Sequence, residues 1–298
     1  MRNLLIPLAI LVAFFASAPA EAQKIDPLTG EVVEQAPPPE PVGPDLTAAN
    51  EQVRSNDFAA AEALLAELQL EFPENEIVLA MRGELLVALN RIDEAIPLLQ
   101  KVAGIAPQRP RVHFQLGSAL ASTGDGPAAI EAFGRELELS KEPQVRLLSH
   151  LNRSMLFQQK RKWSEAAAEL EAALELDPSR TEAWGDLATL HLDAGDLDAS
   201  LKVLQTGAEA GFQSGRHYYS VGARLFKAER FAAAKTAFTE VLAIDPAHAR
   251  AERSLAATLE KLGDADAALD HWARYLELAP GASDADQVTQ KLNASGKR

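Results

Sequence analysis

Residues 181–204 read TEAWGDLATLHLDAGDLDASLKVL, and the fold follows from the spacing of these letters. Trp184, Leu187, Ala188 and His191 fall at i, i+3, i+4 and i+7, which is one face of a helix. Ala194-Gly195-Asp196 ends that helix, because Gly195 accepts the left-handed conformation that closes a helix without a Cβ clash. Ser200, Leu204 and Gly207 then mark the face of a second helix. The small side chains of Ala188 and Ser200 let the two backbones approach closely. A single helical hairpin cannot bury both of its faces, so this unit needs neighbours of its own kind.

The chain supplies them at a fixed period. Pro73, Pro107, Pro178, Pro246 and Pro280 each follow an apolar helix end; Pro73 to Pro107 and Pro246 to Pro280 span 34 residues, Pro178 to Pro246 spans twice that, and Pro107 to Pro178 exceeds two periods by three residues. Proline cannot continue a helix and pushes its predecessor to an extended conformation, so it sets where one hairpin stops. The register predicts seven units: 42–75, 76–109, 110–143, 147–180, 181–214, 215–248 and 249–282. Three columns recur through them. The first helix carries a small residue at Ala49, Gly83, Gly117, Ser154, Ala188, Gly222 and Ala256. The second carries one at Ala61, Ala95, Ala129, Ala166, Ser200, Ala234 and Ala268. A large residue follows four places later, at Leu65, Leu99, Phe133, Leu170, Leu204, Phe238 and Trp272. Asn56, Asn90, Gly124, Gly195 and Gly263 suit a left-handed turn between the helices. Arg161 and Glu229 hold the same place and predict a costlier turn or another geometry.

This pattern resembles the tetratricopeptide repeat family, whose 34-residue signature runs W-x2-L-G-x2-Y, A-x3-F, then P. Trp184, Leu187, Ala188, His191, Ser200 and Leu204 stand at the matching places. The resemblance implies an all-α fold, a right-handed superhelical α-solenoid of about seven hairpins, whose first helices line a concave groove. Carrying the family's groove columns over picks out Met81, Phe114, Gln115, Leu151, Asn152, Met155 and Gln159. Further along it picks out Tyr219, Phe226, Lys227, Arg250 and Arg253. The first group is apolar and amide-rich and suits an extended backbone. The last two repeats turn basic, which suits an acidic segment or a C-terminal carboxylate. Within 181–214 the groove places Gly185, Asp186 and Thr189 are small or acidic, so that hairpin reads as an anchor with recognition surfaces on either side. Chaperone-binding members of the family use a two-carboxylate clamp of lysines, asparagines and an arginine, which only scattered residues such as Asn152 match.

Composition agrees. The 298 residues are 47% hydrophobic, rich in Ala and Leu, and contain no cysteine, which excludes disulfides and thiolate chemistry. A net charge of −14 disfavours nucleic acid and anionic lipid as partners. No two of the six histidines have the i, i+4 spacing of a metal-binding helix, and His113, His150 and His191 occupy core columns. No phosphate-binding glycine loop, G-x-S-x-G or H-E-x-x-H is present, so no catalytic residue, metal or cofactor is expected.

The ends read differently. Residues 1–22 have a basic start at Arg2, an apolar run over 4–16 and two A-x-A sites, at Ala18-Pro19-Ala20 and Ala20-Glu21-Ala22. They predict a Sec-type signal peptide cleaved after Ala22 and a periplasmic or secreted protein, with no membrane contact after cleavage. An uncleaved anchor is the alternative, against which stands a run shorter than the roughly 20 residues of a membrane span. Residues 23–44 are a proline-rich, acidic linker. The period slips by three residues near 140–147, with Pro143 standing two places late as a closing proline, which predicts either a tolerated insertion or a hinge. Residues 283–298 predict a terminal helix capped by Ser283 and Asp286, with Val288 and Leu292 turned inward. The expected function is a non-catalytic scaffold in the bacterial cell envelope that binds a protein or peptide in its groove. Self-association through the end repeats is the rival reading.

Overall fold

The computed structural model describes residues 43–296. The expected signal segment, nearly all of the linker and the last two residues lie outside the described residues. Among the described residues there are fifteen α-helices and no strand, and the chain divides into two compact units, Met1–Lys141 and Glu142–Arg298.

In the first unit α1 (Thr47–Arg54) packs on α2 (Phe58–Glu71), α3 (Glu76–Ala88) on α4 (Ile92–Ile105), and α5 (Val112–Ser122) on α6 (Gly126–Leu139). In the second, α7 (Pro143–Gln159) pairs with α8 (Trp163–Leu176) and α9 (Thr181–Ala194) with α10 (Leu197–Glu209). There α11 (Gly215–Lys227) pairs with α12 (Phe231–Ile244) and α13 (Ala249–Leu262) with α14 (Ala265–Leu278). A last helix, α15 (Ala285–Ala294), covers the end of the second unit with Val288 and Leu292 buried. The architecture is an α-solenoid of helical hairpins.

One local device makes every hairpin. Asn56, Asn90, Gly124, Arg161, Gly195, Glu229 and Gly263 all sit between first and second helices at φ values from 56° to 86°. Arg161 and Glu229 therefore take the same left-handed turn as the glycines, with the Cβ crowding that conformation brings. In alternate hairpins the next residue is an aspartate whose carboxylate accepts from a backbone N–H in the first turn of the second helix. Asp57, Asp125, Asp196 and Asp264 bind Ala60, Ala128, Ala199 and Ala267 in this way at 3.0–3.4 Å.

The small columns set the closeness of each pair. A Cβ at Gly117 would lie 3.0 Å from the Phe133 ring, and one at Gly222 would lie 2.8 Å from the Phe238 ring. Where the small residue is serine, its hydroxyl finds a carbonyl across the crossing. Ser154 donates to the Ala166 oxygen at 2.8 Å and Ser200 to the Ala188 oxygen at 2.6 Å, so a buried polar group stays satisfied. The core-column histidines are likewise satisfied: His113 Nε2 donates to the Pro107 oxygen (2.9 Å) and His150 Nδ1 to Glu169 (2.7 Å).

Two details depart from expectation. Pro143 does not close the third hairpin. It opens α7 at the first helical position, where its missing N–H costs nothing, and α7 runs to 17 residues. The three-residue slip thus becomes extra helix rather than an irregular loop. At the other end α15 has no Ser283–Asp286 capping box. Its N-cap is Asp284, whose carboxylate instead accepts from Tyr275 Oη (2.6 Å) and Arg253 Nε (2.7 Å).

Candidate functional site

In the second unit the first helix of each hairpin buries one face and leaves the opposite one open. On α11, Tyr218, Val221, Gly222 and Leu225 are buried, whereas Arg216, Ala223 and Lys227 are exposed and Ser220 lies between them on the same line. The intervals of four, three and four residues keep those four on a single stripe. One repeat later α13 shows Arg250, Ser254, Ala257 and Lys261 at the same places. Tyr219 Oη, beside the first stripe, lies 3.4 Å from Ser254 Oγ on the second and so joins α11 to α13.

Helices α9 and α11 form the walls of an open cavity of about 640 Å³. Thr189, Leu192 and Asp193 line it from α9, and Arg216, His217, Tyr219, Ser220, Ala223 and Arg224 from α11. The helices come this close because residue 185 is glycine: a Cβ there would meet His217 Cε1 and Phe212 Cζ at 2.9 Å. Arg224 closes one end, donating to the Leu192 oxygen (2.9 Å) and reaching Asp193 Oδ1 (3.4 Å), a cation set at the C-terminus of α9.

The electrostatics follow from partial loss of water. Desolvation, and then the Glu182 carboxylate, holds the Asp186 carboxyl above the usual aspartate range, against the pull of Arg216. Burial, and then Arg216, lowers the His217 imidazole below its ordinary value, so the ring is neutral near pH 7. Burial, with Glu240, pushes the Tyr218 phenol up to about 12. Ser214 Oγ lies 2.6 Å from His217 Nδ1, while the far edge of the ring packs against Gly185 and Phe212. The Thr189 and Ser220 hydroxyls donate to carbonyls of their own helices, Gly185 and Arg216. The arrangement offers cations, aromatic edges and acceptor oxygens, which is binding chemistry.

The residues expected in a groove divide by depth. Met81, Phe114 and Gln115 are 7%, 1% and 3% exposed and belong to the packed interior of the first unit, so they are corrected from groove to core. Phe114 meets Phe133 edge-on with ring centroids 5.6 Å apart. Leu151, Asn152 and Met155 on α7 are half-buried, with Asn152 Nδ2 donating to the Leu148 oxygen at 2.8 Å, and Gln159 is exposed. Tyr219 and Phe226 are half-buried; Tyr219 packs on Phe238 and His248, Phe226 on Phe231. Lys227, Arg250 and Arg253 are exposed, and Arg253 is held by Asp284. The structure brings Tyr219, Phe226, Lys227, Arg250 and Arg253 onto adjoining faces, with the α7 residues on their own helix. Sequence reasoning missed Arg216, although Arg250, chosen for the groove, lies one repeat period away in the same column. It also assigned residues 181–214 to support alone, whereas α9 forms one wall of the cavity.

Among the described residues no group of three or more His, Cys, Asp or Glu is placed to hold a metal ion. No described helix is long and apolar enough to cross a membrane.

Comparison with known proteins agrees with this geometry. Two family models, both of the tetratricopeptide repeat, match the chain: one at residues 52–120 and 157–225, the other at 222–283. Heat shock protein STI1 of Saccharomyces cerevisiae is 33% identical over 84 residues, which cover 28% of this chain and 14% of that protein. The solved Naa15/Naa10 structure bound to HypK-THB superposes with a TM-score of 0.60 at 15% identity, over 85% of this chain and 38% of that one. YrrB, a TPR protein with an unusual peptide-binding site, gives 0.41 at 16% identity, over 76% and 97%. With its hairpin turns, its columns of small residues and family matches over about two thirds of its length, the chain belongs to the tetratricopeptide repeat family.

Proposed function

We propose that the protein is a non-catalytic scaffold that holds a segment of another protein along the open face of α9, α11 and α13. Tetratricopeptide repeats are protein–protein interaction modules, and proteins built from them bind protein partners. The observation that carries the reading is the cavity between α9 and α11, with half-buried Tyr219 and exposed cations at its border. Half-buried rings next to open cations give a partner apolar anchors and polar orientation on one face. The partner is a protein or peptide, not nucleic acid, in keeping with the chain's net charge of −14.

The scaffold works outside the cytoplasm, in the bacterial envelope, with Gln23 as the mature N-terminus. The basic start, apolar run and A-x-A sites of residues 1–22 support this placement. N-terminal sequencing of the protein recovered from a periplasmic fraction checks it, and retention of Met1 contradicts it.

Random peptides displayed on phage and selected on the full-length protein test the groove. Ala223 is exposed and lines the cavity, so Ala223→Trp fills it without touching the core. The selected peptides should lose binding to this variant and keep binding to Lys235→Trp, an exposed position on α12. Equal binding to both variants sinks the groove assignment.

A further inference from the structure

The charges on the open faces of α11 and α13 do not balance. Helix α11 contains no acidic residue. Helix α13 contains two, and both are engaged elsewhere. Glu252 is buried and accepts from His271 Nδ1 (2.6 Å), and Glu260 accepts from Trp272 Nε1 (2.9 Å) and from Lys291. Among the cations, Arg224 is held by the end of α9 and Arg253 by Asp284. Arg216, Lys227, Arg250 and Lys261 remain, all exposed and with no ion pair or side-chain hydrogen bond among the described residues. Four cations without an ion pair on adjoining faces stand out in a chain of net charge −14, and of these Arg216 also feels the Asp186 carboxylate of α9.

Their spacing is regular. Arg216 and Lys227 are eleven residues apart, as are Arg250 and Lys261. Eleven residues of α-helix rise about 16 Å and return to within roughly 20° of the same direction. The cations therefore form two rows about 16 Å apart, one at each end of the paired helices. Between the rows lie Tyr219, Ser220, Ala223 and Phe226. An extended chain rises about 3.3 Å per residue, so five residues bridge the rows.

We propose that this face selects acidic segments: an extended stretch with carboxylates about five residues apart, flanking an apolar residue that rests on Tyr219 and Phe226. The proposal rests on the groove reading above and adds the chemistry of the partner to it. Recognition of this kind is sensitive to salt, because the cations are exposed.

Fluorescence anisotropy on the full-length protein tests it with three labelled ten-residue synthetic peptides. The first carries two glutamates five positions apart around a leucine. The second has glutamines in their place, and the third has the two glutamates adjacent. The first should bind roughly tenfold tighter than either of the others in 50 mM salt, with the margin shrinking in 300 mM. Arg216→Gln combined with Lys227→Gln, both at exposed positions, should remove the margin while the thermal melt stays unchanged. Equal binding of the glutamine peptide, equal binding of the adjacent-glutamate peptide, a margin that survives in the double variant, or no binding by any of the three overturns the proposal. Neutral peptides that bind and are blocked by Ala223→Trp leave the groove reading standing and remove only the acid preference. Acidic peptides indifferent to Ala223→Trp remove both.

Discussion

Helices α5 and α11 carry an aromatic ring at the same place in their hairpins, and only one ring reaches the surface. Phe114 is 1% exposed, whereas Tyr219 is half-buried and borders the cavity. Both rings meet a phenylalanine of the following helix with centroids 5.6 Å apart, Phe133 in one case and Phe238 in the other. Their difference begins at the helix starts. The carboxylate of Glu136, buried on α6, accepts from the backbone N–H groups of Arg111 (3.3 Å) and Phe114 (3.1 Å) and so binds the first turn of α5 to its partner helix. The interval that separates Phe114 from Tyr219 also separates Glu136 from Val241, which holds no such bond and packs close to Gly215. A repeat column fixes the direction a side chain takes. Its depth depends on what the neighbouring helix presents at that point.

The largest test of this comparison lies in the two phenylalanines beneath the rings. Phe133→Ala and Phe238→Ala should each destabilise by about 3–5 kcal/mol, since both side chains are fully buried. Hydrogen exchange read by mass spectrometry should show the loss of protection centred on α5–α6 in the first variant and on α11–α12 in the second. Losses spread evenly over both units in both variants break the comparison.

Glu136 gives the next effect. Glu136→Ala leaves two backbone N–H groups without their carboxylate and should cost about 2–3 kcal/mol in urea unfolding. Its pH dependence has a definite sign. Burial holds the Glu136 carboxyl above the usual range, against the backbone bonds from Phe114 and Arg111, the charge of His113 and the Ser140 hydroxyl. Above the raised value the carboxyl is ionised in folded and unfolded chains alike, and the cost of burial is complete. As pH falls through the raised value, the folded chain takes up the proton first and gains stability. The wild-type urea midpoint should therefore rise relative to that of Glu136→Gln as pH is lowered from neutral towards the ordinary glutamate range. A falling difference contradicts the role given to burial.

The smallest effect is in the turns. Arg161 and Glu229 hold the left-handed conformation at φ 56° and 59° that Gly195 holds at 84°. Arg161→Gly and Glu229→Gly should each stabilise by about 1 kcal/mol or less, the relief of Cβ crowding exceeding the entropy of glycine. Lower melting temperatures in both variants show that the turns bear no such strain.

What was legible in the sequence was whatever depends on period. The small residues at Gly117, Gly222 and Ser200, the large ones at Phe133 and Phe238, and the glycine turns recur at fixed spacing, and hairpins follow from them. The choice of Tyr219, Phe226, Lys227, Arg250 and Arg253 used the same register and reached adjoining faces of one unit. What escaped depends on single contacts. Met81, Phe114 and Gln115 lie in open-face columns yet pack inside. Pro143 reads as a stop by spacing and serves as a start by geometry. Asp284 binds Arg253 and Tyr275 across helices, a pairing no local motif announces. Arg216 was within reach of the register and was passed over beside Arg250.

The central claim, that α9, α11 and α13 present the partner-holding face, is tested most directly by amide hydrogen exchange of the full-length protein with and without a peptide selected by display. Binding should slow exchange over residues 182–193, 216–227 and 250–261, with α10, α12 and α14 unchanged. Slowed exchange confined to α10, α12 and α14, or to the first unit, contradicts it.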